Sequence, residues 1–248
     1  MNYPLLTIYA DLLDDLEKSR IATESRIRSL RQVKGLAGSP EEERLDAIAM
    51  GLAEAERAAT KELQKAVKAH PLGPWIKGQV GLGEKQVGRL LGALGDPLHR
   101  PDPETGELVQ RSVSQLWSFC GYGDARTQVR RRGQRHNWNA DLKMRAHLIA
   151  ESLIKQVGKG SPYRAVYDQA RAKYADAVHA DECLRCGPSG RPAQAGSPLN
   201  DGHRHARALR AVAKAFLKDL WVEARRVQMH DDPHSLVDPA RDLEESPA

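Results

Sequence analysis

Only two phenylalanines, four tryptophans and six tyrosines occur in 248 residues, so a core built from this chain must be largely aliphatic. No apolar run approaches the roughly 18 residues needed to cross a bilayer. The start, MNYPLLTIYADLLDDLEK, lacks the basic flank of a signal peptide. A soluble, cytoplasmic protein with no membrane partner is therefore expected. Three cysteines are too few for a disulfide framework in a chain of this length. Runs of β-branched or aromatic residues alternating with polar ones are also missing, whereas helical spacing recurs throughout, which predicts an all-α fold. The length allows one large domain or two small ones.

What the chain does have is positive charge, unevenly placed. The formal net charge is +5 and the sequence pI about 9.1, yet the last stretch, HDDPHSLVDPARDLEESPA, is acidic and rich in proline. Residues 229–248 read as an acidic disordered tail, and the body without it is more basic, a candidate partner for polyanions.

Leu5, Ile8, Leu12, Leu16, Ile27, Leu30 and Val33 predict one face of a long first helix ending at Gly35. Ser39, Pro40 and Glu42 supply an N-cap, a first-turn proline and a capping-box acid for a second helix reaching about His70. Its stripe is Leu45, Ile48, Leu52, Ala55, Leu63 and Val67. Residues 1–70 thus read as a helical hairpin or one half of an intermolecular coiled coil, which would make a homodimer or dock a partner protein. Residues 71–228 read as a second helical domain. Its helices are expected from Glu84 to about Leu94, around Leu116–Phe119, from Asp141 to Val157, from Pro162 and from about His203 to Val227.

Within that domain, VGLGEKQVGRLLGALGDP (residues 80–97) joins two short helices by an apolar-Gly-apolar-Gly turn. This is the helix-hairpin-helix pattern, in which glycines such as Gly81 and Gly83 let a phosphate reach the free N–H groups of the second helix. Lys77, Lys85 and Arg89 lie close in sequence. The alternative is a tight packing turn, with Gly88 and Gly92 allowing close helix approach. Downstream, ARTQVRRRGQRHNWNADLKMR gathers Arg126, Arg130, Arg131, Arg132 and Arg135, followed by Lys143. Arginine forks suit phosphates, and Trp138 with His136 could stack on a base or anchor the loop. A solvated loop, or a site for an acidic protein, is the competing reading.

Cys183 and Cys186 form a Cys-x2-Cys knuckle, followed by His203 and His205. Two thiolates and two imidazoles are the ligand set of a structural zinc site. Histidines two apart lie on different sides of a regular helix, so either one of them precedes the helix or His179 replaces it; two ordinary thiols with a surface histidine pair is the competing reading. Cys120, beside Phe119, reads as core.

The order of these parts (helical hairpin, VGLGEKQVGRLLGALGDP, LWSFCGYG, basic glycine loop, NADLKMRAHLIAESLIK, a tyrosine-bearing helix and RALRAVAKAFLKDLWVEAR) resembles the C-terminal half of insertion-sequence 110 family transposases over about residues 2–227. The resemblance implies DNA as a partner, with structured RNA as a second candidate, and a role in DNA transposition or recombination by a mobile element. Two departures follow from the residues. The family's ribonuclease-H-like domain with four metal-binding acids has no counterpart here, and Asp11, Asp14 and Asp15 fall on the predicted first helix. The family's serine nucleophile is also missing: residues 120–150 contain no serine, leaving Thr127 as the only loop hydroxyl and the sole candidate catalytic residue. The expected function is a transposase-related DNA-binding protein, truncated or repurposed. The alternatives are an active recombinase or nuclease subunit completed by a partner, and a helical scaffold for an acidic protein.

Overall fold

A computed structural model describes residues 3–33, 36–124, 126–128, 133–184, 186–188 and 191–231. The chain is helical, as expected, with one small two-stranded hairpin. Its Cα packing separates two compact units. The first is Met1–Pro74 with Gly83–Gly95; the second is Trp75–Leu82 with Asp96–Ala248. Their boundary therefore falls within the stretch read as a helix-hairpin-helix, whereas the sequence suggested a division at residue 70.

The first unit holds α1 (Tyr3–Gln32), α2 (Pro40–Ala69) and α4 (Glu84–Leu94). Ser39 caps α2 by accepting from the Glu42 N–H at 3.3 Å, and Pro40 occupies the first turn. The Glu42 carboxylate accepts from the Gly38 N–H at 2.6 Å and from Arg31, so the capping acid closes the turn between the helices. Helices α1 and α2 run antiparallel. Tyr3 meets the His70 ring at 5.0 Å, Arg20 pairs with Glu56 at 2.6 Å, and Arg31 pairs with Glu42 and Asp46.

The buried face of α1 is Tyr3, Leu6, Ala10, Leu13, Thr23 and Ile27. It lies about one residue round the helix from the expected stripe, leaving Ile8 63% and Leu12 47% exposed. On α2, Ala59, Leu63 and Val67 are buried, while Ile48 is exposed. Helix α4 decides which face turns inward. A Cβ on Gly92 would sit 2.6 Å from the Ala10 Cβ and 2.8 Å from the Leu6 carbonyl oxygen. One on Gly88 would sit 2.8 Å from Val67 and 2.9 Å from Leu63. Gly92 thus brings α4 almost into backbone contact with α1, Gly88 makes room for the Leu63 and Val67 side chains of α2, and Thr7 adds a 2.8 Å bond to the Gly92 carbonyl.

In the second unit, β1 (His99–Pro101) pairs antiparallel with β2 (Leu108–Gln110), an excursion too short for a period-two pattern to reveal. Helix α3 (Gly73–Gly78) spans the boundary between the units. The capping box of Ser112 and Gln115 starts α5 (Val113–Phe119), and Asn139 caps α6 (Ala140–Ile154) through the N–H groups of Asp141 and Leu142. Helices α5, α6 and α7 (Pro162–Lys173) all pack on α8 (Asp201–Asp231). Phe216 on α8 is fully buried, stacked at 6.1 Å on Trp75 and edge-on at 6.2 Å to Tyr163. Trp117 and Trp221 each donate an indole N–H to a carbonyl, of Lys214 at 2.9 Å and of Arg111 at 2.8 Å. The tail expected over residues 229–248 lies outside the described residues from 232 onward; α8 itself continues to Asp231.

Among the described residues, no helix is long and apolar enough to cross a membrane.

Candidate metal centre and basic face

His179, Cys183, Cys186 and His203 come together in the second unit, with one ligand atom of each within 4.8 Å of all the others. Local backbone geometry makes this possible. The Cys183 and Ala193 main chains exchange two hydrogen bonds of 2.9 Å, and the Cys186 N–H bonds back to the Cys183 carbonyl at 3.3 Å, forming the knuckle. Gly187 allows the turn, because a Cβ there would run into the Arg191 carbonyl. His179 is held on both sides by bonds between its main chain and Ser197 and Gly196, at 2.9 and 2.7 Å. His203 sits in the first turn of α8, where Asn200 accepts its N–H at 2.8 Å.

Nδ1 of His203 lies 3.3 Å from Sγ of Cys186 and 3.9 Å from Sγ of Cys183. A tetrahedral ion with bonds of roughly 2.0–2.3 Å spaces its ligands about 3.3–3.8 Å apart, so a small contraction would close the site. The decisive atom is Nε2 of His179. That ring is 3% exposed, and the nitrogen has no hydrogen-bond partner. A buried imidazole nitrogen left unbonded costs free energy, and a metal ion in the cluster would satisfy it. The four residues can hold a metal. His205, expected as the fourth ligand, is turned to another side of α8, where its Nδ1 shares a 2.7 Å hydrogen bond with the Tyr167 hydroxyl. Two residues of helix rotate a side chain by about 200°, and His179, far back in sequence, takes its place.

The basic residues expected to hold nucleic acid divide sharply. Lys85 pairs with Glu56 at 3.4 Å. Arg89 is forked onto Asp14 and also reaches Glu17. Both are thereby committed to neutralising acids of the helical hairpin. Gly81, at φ +88°, carries its turn against the Gln156 side chain, and its carbonyl accepts from Ser152 at 2.8 Å. Gly83 is the exposed N-cap of α4, with open space where a Cβ would go. Lys77 is exposed and makes no ion pair among the described residues. In the arginine loop, Arg126 pairs with Asp124 at 2.8 Å, and that contact holds the Asp124 carboxyl down at about 2. Arg130, Arg131 and Arg132 lie outside the described residues. Arg135 is exposed, and Lys143 sits 4.5 Å over the Trp138 ring. Thr127 donates its hydroxyl to the Asp124 carbonyl at 3.2 Å, and among the described residues no base accepts its proton. Burial pushes the Cys120 thiol up to about 12, which suits a core residue.

One basic feature escaped the sequence reading. Arg207, Arg210 and Lys214 lie at i, i+3 and i+7 on α8, hence on one face. Each cation rests over a ring: Arg207 over Tyr174 at 5.4 Å, Arg210 over Tyr122 at 5.6 Å and Lys214 over Trp117 at 3.9 Å. None of the three has a carboxylate within salt-bridge distance among the described residues. Arg210 also donates to the carbonyls of Gly121 and Gly123, so it braces the root of the arginine loop. Partial burial lowers the pKa of Arg210 and, together with Arg210 itself, that of Lys214. The i, i+3, i+7 spacing was readable, but the rings that meet it come from 33 to 97 residues away in sequence.

No family model, curated protein or solved structure matches this chain.

Proposed function

We propose that this protein binds nucleic acid, with DNA as the first candidate, by clamping phosphates on the second unit, and that a structural zinc ion at His179, Cys183, Cys186 and His203 supports that unit. The observation that carries the reading is the α8 row of Arg207, Arg210 and Lys214. These are three half-buried cations on one face with no carboxylate in salt-bridge contact among the described residues, one of them bonded to the root of the arginine loop. Cations held in place by rings lose little freedom when a phosphate arrives; Arg210 feels the Asp124 charge at longer range, and with no carboxylate in direct contact among the described residues the row keeps charge for an external anion. The lysine and arginine of α4 contribute less to this reading, since both are committed to Glu56, Asp14 and Glu17. Zinc is favoured over other metals by the two thiolates and two imidazoles. The resemblance to insertion-sequence 110 transposases supports DNA as the polymer and a role near transposition. With Thr127 bonded to a main-chain carbonyl, binding rather than cleavage is the activity proposed.

Affinity for an oligonucleotide across a salt series tests this. The double variant Arg207→Ala/Lys214→Ala should bind more weakly, with the log–log salt slope reduced by about 0.9 per lost phosphate contact on duplex. Unaltered affinity and slope in a folded variant would remove α8 from the interface. Absence of binding by the natural chain at low salt would end the reading.

A further inference from the structure

Where α5 gives way to α6, a groove of about 440 Å³ is lined by Phe119, Arg135, His136, Asn137 and Trp138 and by the first residues of α6. Its wall is aromatic. Trp138 and His136 lie 4.8 Å apart between ring centroids, and Phe119 is 38% exposed despite its size. Trp138 is held by its seat: a Cβ on Gly121, at φ +75°, would lie 2.8 Å from the indole, and Lys143 stacks on the same ring. The Asn139 N–H bonds to the Phe119 carbonyl at 2.9 Å, fixing one wall to the other.

The polar groups of this groove are uncommitted, unlike the other basic residues near it. Arg135, His136 and Asn137 make no hydrogen bond or ion pair among the described residues, and no carboxylate lines the groove. The local charge comes from Arg135 and Lys143, with the Arg111 guanidinium 4.9 Å over the Phe119 ring. A rigid aromatic wall, a free amide able to donate and accept, and surrounding cations together match a nucleobase attached to phosphates.

From this geometry we infer that the groove receives one unpaired base of a single-stranded or locally opened nucleic acid, stacked on the Trp138–His136 wall, with the Asn137 amide at its edge. A paired base in a duplex has both faces covered by its neighbours, so the groove selects against intact duplex. The inference rests on the proposed nucleic-acid binding and adds the strand state of the ligand.

The test uses the full chain and three fluorescent probes of equal length: a single-stranded thymidine oligonucleotide, the same strand in duplex, and an abasic strand with identical phosphates. Tighter binding of the single strand than of the duplex is expected, with about tenfold weaker binding of the abasic strand, a typical loss for one stacked base. Trp138→Leu should remove most of the difference between thymidine and abasic strands while leaving the salt slope unchanged. His136→Ala, at a side chain not needed for packing in the core, should reduce the same difference if Trp138→Leu does not fold. Equal affinity for thymidine and abasic strands, or for single strand and duplex, would overturn the inference while leaving backbone binding intact. Failure of every probe to bind would overturn both.

Discussion

Removal of metal should loosen the second unit by an amount that the loop geometry allows to be worked out. Between residues 171 and 200, His179 and Leu199 are the only buried side chains among those described. The segment's own support is two isolated bridges, Val178 with Pro198 and Cys183 with Ala193. An ion joining His179 to His203 closes a loop of about 25 residues, and the chain-entropy relation for a cross-link of that length gives about 3.5 kcal/mol. For a chain of this size, 1 kcal/mol corresponds to a midpoint shift of about 2–4 °C. Thermal unfolding after chelation, or of Cys183→Ser/Cys186→Ser, should therefore fall by roughly 7–14 °C, with one zinc per chain found in the untreated protein. His179→Ala should lower zinc affinity and His205→Ala should not. Zinc content near zero in protein purified without chelator, or a midpoint indifferent to chelation, would refute the argument.

Two further outcomes concern the first unit. His70 is 4% exposed, its Nδ1 accepts the Leu72 N–H at 3.2 Å and its Nε2 has no partner; burial lowers its pKa to about 4. The folded state thus resists a proton that the unfolded state takes up near pH 6.5. Stability from this residue should be complete above that value and lost as pH falls from about 6.5 to about 4, by at most about 3 kcal/mol; urea unfolding of the natural chain and His70→Leu across that range checks it, and an equal slope in both would contradict it. Gly92→Ala should destabilise the unit by about 1–3 kcal/mol, since α4 must move away from the Ala10 methyl and the Leu6 carbonyl of α1 to admit a methyl. Gly83→Ala, with open space around it, should cost only the N-cap preference, below about 1 kcal/mol, and equal effects from the two would show that close helix approach is not what Gly92 provides.

Several parts of this protein were legible in its residues because they depend on short-range physics. Ser39-Pro40-Glu42 marked the start of α2, Pro162 the start of α7, and the spacing of leucines the dominance of helix, all through preferences and contacts spanning four residues or fewer. The Cys-x2-Cys knuckle was likewise visible, since its bond from Cys186 to Cys183 is local. The metal set was read with His205 as its fourth member and His179 as the possible replacement: helix rotation excludes His205 from the side of His203, but no local rule by itself decides for a residue 24 positions away.

What the sequence by itself determined was helix, its caps, the basic body and three of the four residues of the candidate metal cluster, with His179 named as a substitute for the fourth. Tertiary structure decided the rest. Leu5-Ile8-Leu12 and Leu6-Ala10-Leu13 are both helical stripes on α1, and the second is buried where Gly92 lets α4 come close on that side. Arg89 and Lys85 looked like phosphate ligands until the fold set Asp14, Glu17 and Glu56 against them. The cations of α8 formed no motif in the sequence; packing set Tyr122, Tyr174 and Trp117 beneath them. Whether a charge is neutralised or left available depends on which groups lie within a few ångströms, and that proximity is a property of packing between distant segments.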